Sequence, residues 1–169
     1  MGVYFKEKES EIKLLCIAIP SLAYKKDKGM LKIILVEDNI LIRNGIKVLL
    51  ECEDGFDIVG EAGNGQDALE LVRKEQVDLV LTDMNMPIMG GIEFIEEMKL
   101  LNSDLPVVVL SMAASHRHIS QAFMKGAGGY LLKNISSDEL IFALKHVANG
   151  NKYLCSELSI EMLEKSAYF

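Results

Sequence analysis

From residue 30 to about residue 150 the chain changes hydrophobic period again and again, and this alternation constrains its fold more than any other feature. The unbroken apolar run Ile33-Ile34-Leu35-Val36 reads as a strand buried on both faces. Ile42, Ile46, Leu49 and Leu50 then recur at helical spacing, forming one face of an amphipathic helix. Further strands are predicted over 56–61, 77–82, 107–110 and 130–132, and further helices over 65–75, 91–101, 115–125 and 136–148. Gly126, Gly128 and Gly129 stop the fourth helix, and Ser136 with Glu139 predicts a capping box on the fifth.

Strands alternating with helices imply a parallel sheet, because parallel neighbours need a crossover and right-handed crossovers place helices on both faces. The expected class is therefore doubly wound α/β. In such sheets a ligand sits beyond the carboxyl ends of the strands, where the strand order reverses.

Half of the 169 residues are apolar and a quarter are charged, enough for one full core and unlike a disordered chain. Residues 1–29 hold six lysines against four carboxylates, whereas residues 30–169 hold twelve basic against twenty-one acidic side chains. A body so acidic repels phosphate backbones, which argues against direct nucleic-acid binding by these residues. Cys16, Cys52 and Cys155 are odd in number and form no C-x-x-C or Cys/His cluster, so free cytoplasmic thiols are expected in place of disulfides or zinc. The N-terminal apolar stretch 14–20 is far shorter than the roughly 20 residues of a membrane span. Glu7, Glu9 and Glu11 spoil the positive region that a secretory signal needs. The polar break at 25–29 marks 1–29 as an appendage to a domain over 30–150, with 151–169 a linker or one extra helix over 156–165.

Polar residues gather at the predicted strand ends: Glu37 and Asp38 after the first, Asp83 after the third, Ser111 after the fourth and Lys133 after the fifth. Each alone is an ordinary way to end a buried strand. Together they suit one chemistry. Three neighbouring carboxylates repel unless a cation neutralises them, and an all-oxygen site suits Mg2+. With charge drawn off by the metal and Lys133, a carboxylate oxygen can attack a phosphoryl group whose free oxygens Ser111 and Lys133 bind. The product is an aspartyl phosphate.

The segments 35–39 (LVEDN), 81–87 (LTDMNMP) with Gly90-Gly91, 110–113 (LSMA) and 126–133 (GAGGYLLK) resemble the receiver domain of bacterial two-component response regulators. The resemblance implies a flavodoxin-like (βα)5 fold, a five-stranded parallel sheet in the order 2-1-3-4-5. It implies Asp83 as phosphoacceptor; Asp38, Asp83, Glu37 and the Asn85 carbonyl as the Mg2+ set; and Ser111 with Lys133 as the phosphate clamp. Tyr130 matches an aromatic switch whose ring moves inward when the Ser111 hydroxyl swings toward phosphate. Asn134 follows the lysine where many receivers have a cis-proline. The region 147–154 resembles receivers that precede a LuxR-type helix-turn-helix domain, of the LuxR/FixJ kind, though residues 155–169 are too few to form one.

The implied partner is a sensor histidine kinase, with homodimerisation left open. The implied output is transcription through another domain, or protein contact alone. Self-phosphorylation and slow self-dephosphorylation are expected, without turnover of other substrates. Against a flavodoxin-like FMN binder stands the acidic 37–39 loop, where a flavin phosphate would need Ser, Thr or Gly. Against an aspartyl phosphatase stands Asn85, which leaves no general acid two residues after Asp83. His116 and His118, at the start of the fourth helix, point to different sides and are expected in solvent.

Overall fold

The structure, a computed structural model, describes residues 29–101, 104–113 and 115–166. The appendage expected over 1–29 lies, apart from Gly29, outside the described residues, as does Cys16. In chain order the elements are β1 (Leu31–Val36), α1 (Ile40–Glu51), β2 (Phe56–Ala62), α2 (Gly65–Lys74), β3 (Leu79–Asp83) and α3 (Gly91–Leu100). They continue with β4 (Val107–Ser111), α4 (His116–Lys125), β5 (Gly129–Leu132), α5 (Ser137–Ala148), β6 (Tyr153–Leu154) and α6 (Ser156–Ser166).

All strands pair in parallel, in the order β2-β1-β3-β4-β5-β6. The core order is the expected 2-1-3-4-5, and the five-stranded count is corrected by β6, which pairs Tyr153 with Gly129 and Leu154 with Tyr130. Two residues show no hydrophobic period, so only the backbone pairing reveals this strand. Among the described residues no helix is long and apolar enough to cross a membrane.

The strands' apolar runs explain the central position of the sheet. Ile33, Ile34, Leu35, Val36, Leu79, Val80, Leu81, Val108 and Val109 are fully buried, because helices cover both faces. Burying each such side chain contributes about 1.5–3 kcal/mol of transfer free energy. Side-chain oxygens open the helices. Asn39 accepts from Leu41 and Ile42 amides, Asn64 from Asp67, Ser115 from His118 and Ser136 from Glu139. Helix α4 ends at Gly126, whose φ of 120° is one that side chains rarely tolerate.

The capping box expected on α5 is corrected to half of one. Ser136 Oγ accepts from the Glu139 amide at 3.2 Å, but the Glu139 carboxylate turns away from the cap. It accepts from the Tyr153 hydroxyl at 3.1 Å and from the Ser156 amide at 2.8 Å, joining α5 to β6 and to the start of α6. A carboxylate at the first amides of a helix meets its positive end, a better use of the charge than its own exposed cap.

Candidate functional site

The order of strands reverses between β1 and β3, so their carboxyl ends open into one crevice. Pairing sets the ends side by side: Val36 lies opposite Thr82, Asp83 opposite Leu110, and Ser111 opposite Leu132. Glu37 and Asp38, immediately after β1, therefore face Asp83, the last residue of β3. One carboxylate oxygen from each of Glu37, Asp38 and Asp83 lies within 4.8 Å of the others. Glu37, Asp83 and Ser111 are buried, and Asp38 is exposed.

Lys133 enters from the loop after β5, where its amide donates to the Ser111 carbonyl at 2.9 Å. Its Nζ lies 2.6 Å from Glu37 Oε2 and 3.1 Å from Asp83 Oδ1. The same Asp83 oxygen accepts from the Met84 amide at 2.7 Å. Helix α3 starts hard against this point. A Cβ on Gly91 would stand 2.5 Å from the Asp83 carbonyl oxygen, so only glycine lets α3 pack there.

The balance of charge in the cluster is three carboxylates to one ammonium. Burial pushes Glu37 above the ordinary carboxylate range, Asp83 adds to this, and the hydrogen bond from Lys133 offsets only part. Burial alone would lower Lys133, yet hydrogen bonds and charge from Glu37 and Asp83 outweigh it and raise the ammonium's pKa. The two shifts differ in cause: burial leads for Glu37, whereas for Lys133 the neighbouring carboxylates overcome burial. All ligand atoms on offer are oxygen, which fits a hard divalent cation such as Mg2+. Asn85 is exposed on the loop after Asp83 and lines the same cleft as Asp38.

Ser111 Oγ donates to the Ala113 carbonyl at 2.6 Å. Tyr130 is wholly buried, its ring already inside, and its hydroxyl has no hydrogen-bond partner among the described residues. Burial pushes its ionisation up, while the nearby Ser111 hydroxyl acts the other way. Ser111 thus stands close enough to influence the phenol but spends its proton on Ala113. Among the described residues no peptide bond is cis, and after Lys133 and Asn134 the loop closes through an Ile135 amide to Leu132 carbonyl bond.

Three features of the site escaped the sequence. The Asp83 loop contains a three-residue turn, with the Met89 amide on the Pro87 carbonyl and Ile88 at φ 68°, a strained value for a β-branched residue. Arg43, one turn into α1, donates to the Glu37 carbonyl. His118 is exposed, as expected, but lines the cleft shared by Asp38 and Asn85.

A family model described as the response regulator receiver domain matches residues 33–145. The transcriptional regulatory protein MctR of Rhizobium johnstonii is 38% identical over 133 residues, covering 77% of this chain and 61% of its own length. Response regulator UvrY of Escherichia coli K12 is 34% identical over 133 residues, covering 79% of this chain and 61% of its own. A crystal structure of a LuxR-family two-component response regulator from Aurantimonas superposes with a TM-score of 0.78 at 27% identity, covering 82% of this chain and 99% of that one. The receiver domain of NarL from Mycobacterium tuberculosis gives 0.71 at 28% identity, covering 73% and 100%. The chain spans about three fifths of the length of the curated relatives it matches. With its acidic crevice and these relatives, the chain belongs to the response regulator receiver family.

Proposed function

We propose that Asp83 accepts a phosphoryl group from the phosphohistidine of a partner kinase. An Asp83 carboxylate oxygen forms the new bond to phosphorus, the bond from phosphorus to the histidine nitrogen breaks, and the leaving imidazole takes up a proton. The observation that carries this reading is the buried Asp83 carboxylate held between Lys133 and the Met84 amide, beside Glu37 and Asp38.

Each neighbour has a part. The Met84 amide and Lys133 fix one Asp83 oxygen, and neither of them ties the other. Lys133 neutralises charge that gathers on the phosphoryl oxygens. Ser111 reaches a phosphoryl oxygen by giving up Ala113. Glu37, Asp38, Asp83 and the Asn85 carbonyl would hold Mg2+, which when bound screens the carboxylates from the incoming phosphate. Around the mouth, Ile40, Leu41, Ile88 and Met112 are large apolar side chains left exposed. An apolar rim around a charged centre suits a docking protein better than a small free substrate. That supports a kinase partner.

The response then leaves the site through Ser111 and Tyr130 toward the face of α4, β5 and α5. Relatives named as transcriptional regulators support an output in transcription from the cytoplasm, with DNA contacted elsewhere than on this acidic body. The test is intact-mass measurement after incubation with acetyl phosphate, with and without Mg2+. A phosphoryl adduct that requires Mg2+ is expected; labelling that is indifferent to Mg2+ would overturn the role of the acid cluster.

A further inference from the structure

We infer that Arg43 is the positioning residue of the acid pair, fixing the peptide between Glu37 and Asp38 and so setting the affinity of the crevice for a divalent cation. The inference rests on the reading of the cluster as a cation site and adds a residue that never touches the ion.

The geometry begins with Asp38. It is exposed, and among the described residues no side-chain hydrogen bond fixes its carboxylate. Its place is therefore set by its backbone. That backbone is tied on both sides: the Glu37 amide donates to the Ala62 carbonyl at 3.0 Å, and the Asn39 amide donates to Glu37 Oε1 at 3.2 Å. The carbonyl between these ties, that of Glu37, accepts from Arg43 Nη1 at 2.6 Å. This oxygen belongs to the peptide that leads into Asp38, so the guanidinium holds the hinge of the acid pair.

Arg43 is itself held. Its Nε makes no hydrogen bond but pairs electrostatically with Glu61 Oε2 on β2 at 3.5 Å, and Lys47, one helical turn further, takes the other oxygen of the same carboxylate at 2.5 Å. The Arg43 side chain is only 19% exposed. The charge of Glu61 thus draws the guanidinium at one end while Nη1 hydrogen-bonds Glu37 at the other, a two-ended geometry that a planar guanidinium supports and an ammonium does not.

Charge and position make opposite predictions here. As a mere positive charge near the cluster, Arg43 would repel a cation, and its removal would tighten binding. As a positioning residue, its loss frees Asp38 and weakens binding. The sign of the change decides.

The experiment is a Mg2+ titration of the full chain without any phosphodonor, followed through the amide shifts of residues 36–40 and 82–86. Arg43→Met is expected to weaken Mg2+ about tenfold, the scale typical of lost support behind a metal ligand. Arg43→Lys, which keeps the charge and loses the fork, is expected to weaken it as well. Lys47→Met removes a cation from the same carboxylate without touching Glu37, and is expected to bind Mg2+ as wild type does. Unchanged or tighter binding in Arg43→Met, or an equal loss in Lys47→Met, would overturn the inference. Should Arg43→Met fail to fold, Glu61→Gln releases the guanidinium from its anchor and is expected to weaken Mg2+ to a smaller degree; unchanged affinity there is equally fatal. Failure of the wild-type chain to bind Mg2+ would instead remove the cation-site reading on which the inference stands.

Discussion

Lys133, on the loop after β5, and Glu37, at the end of β1, form a buried ion pair between residues 96 positions apart, with Nζ 2.6 Å from Oε2. The pair joins the two strands that flank β3 and β4, so it closes the crevice from both sides at once.

Removing the ammonium leaves three carboxylates within 4.8 Å of one another and no cation among them. Lys133→Met is therefore expected to cost about 3 kcal/mol of stability without Mg2+, the scale of breaking a buried pair. Mg2+ should restore part of it by neutralising the same oxygens. Urea unfolding with and without Mg2+ measures both; equal stability to wild type in the absence of metal would mean that the pair does not form in solution.

Tyr130 buries a hydroxyl that has no hydrogen-bond partner among the described residues. Tyr130→Phe is expected to leave stability unchanged or raise it by about 1 kcal/mol, since an unsatisfied buried group costs free energy. Ser111→Ala should still accept phosphate yet show a blunted response to beryllofluoride, because a ligand shifts an equilibrium only through its differential affinity for two states. Amide shifts of residues 115–133 report this, and a full response in Ser111→Ala would break the coupling.

Glu139 holds the C-terminal helix through the Tyr153 hydroxyl and the Ser156 amide and hydroxyl. Glu139→Ala should loosen α6 at a cost of about 1.5–3 kcal/mol for hydrogen bonds to a charged acceptor. Hydrogen exchange is expected to quicken over 156–166 and stay slow in β1 and β3. Uniform protection in the variant would show that α6 is held by its apolar contacts, such as the buried Leu158, instead.

Burial, then the charge of Glu139, pushes the Tyr153 phenol up to about 12. The folded chain thus keeps a proton that the unfolded chain releases near pH 10, the ordinary value for tyrosine. The resulting stability is fully present below about pH 10 and is lost as the pH rises through about 12. Tyr153→Phe should flatten this alkaline decline and remove part of the late tyrosinate absorbance. An identical decline in both proteins would assign it to other groups.

Much of this was legible in the sequence where burial leaves a long imprint. Strands covered on both faces must be apolar throughout, so 33–36 and 107–110 announce themselves, and the cap at Ser136 marks the start of α5. The chemistry at strand ends was legible too, because parallel topology brings Glu37, Asp38, Asp83, Ser111 and Lys133 to one edge. Short or long-range features were not. Tyr153–Leu154 is too brief to carry a period, Glu139 chose a partner 14 to 17 residues away over its own cap, and Arg43 acts on a backbone oxygen that no motif encodes. Whether the Tyr130 ring lies in or out is a matter of packing, which pattern alone does not fix.

The central claim is that Asp83 is the acceptor, and intact-mass spectrometry of wild type and Asp83→Asn after acetyl phosphate and Mg2+ tests it most directly. Wild type should gain one phosphoryl group that is lost under alkaline hydroxylamine, and Asp83→Asn, folded as judged by its amide spectrum, should gain none. A phosphoryl adduct retained in Asp83→Asn would contradict the assignment and move the chemistry to another carboxylate.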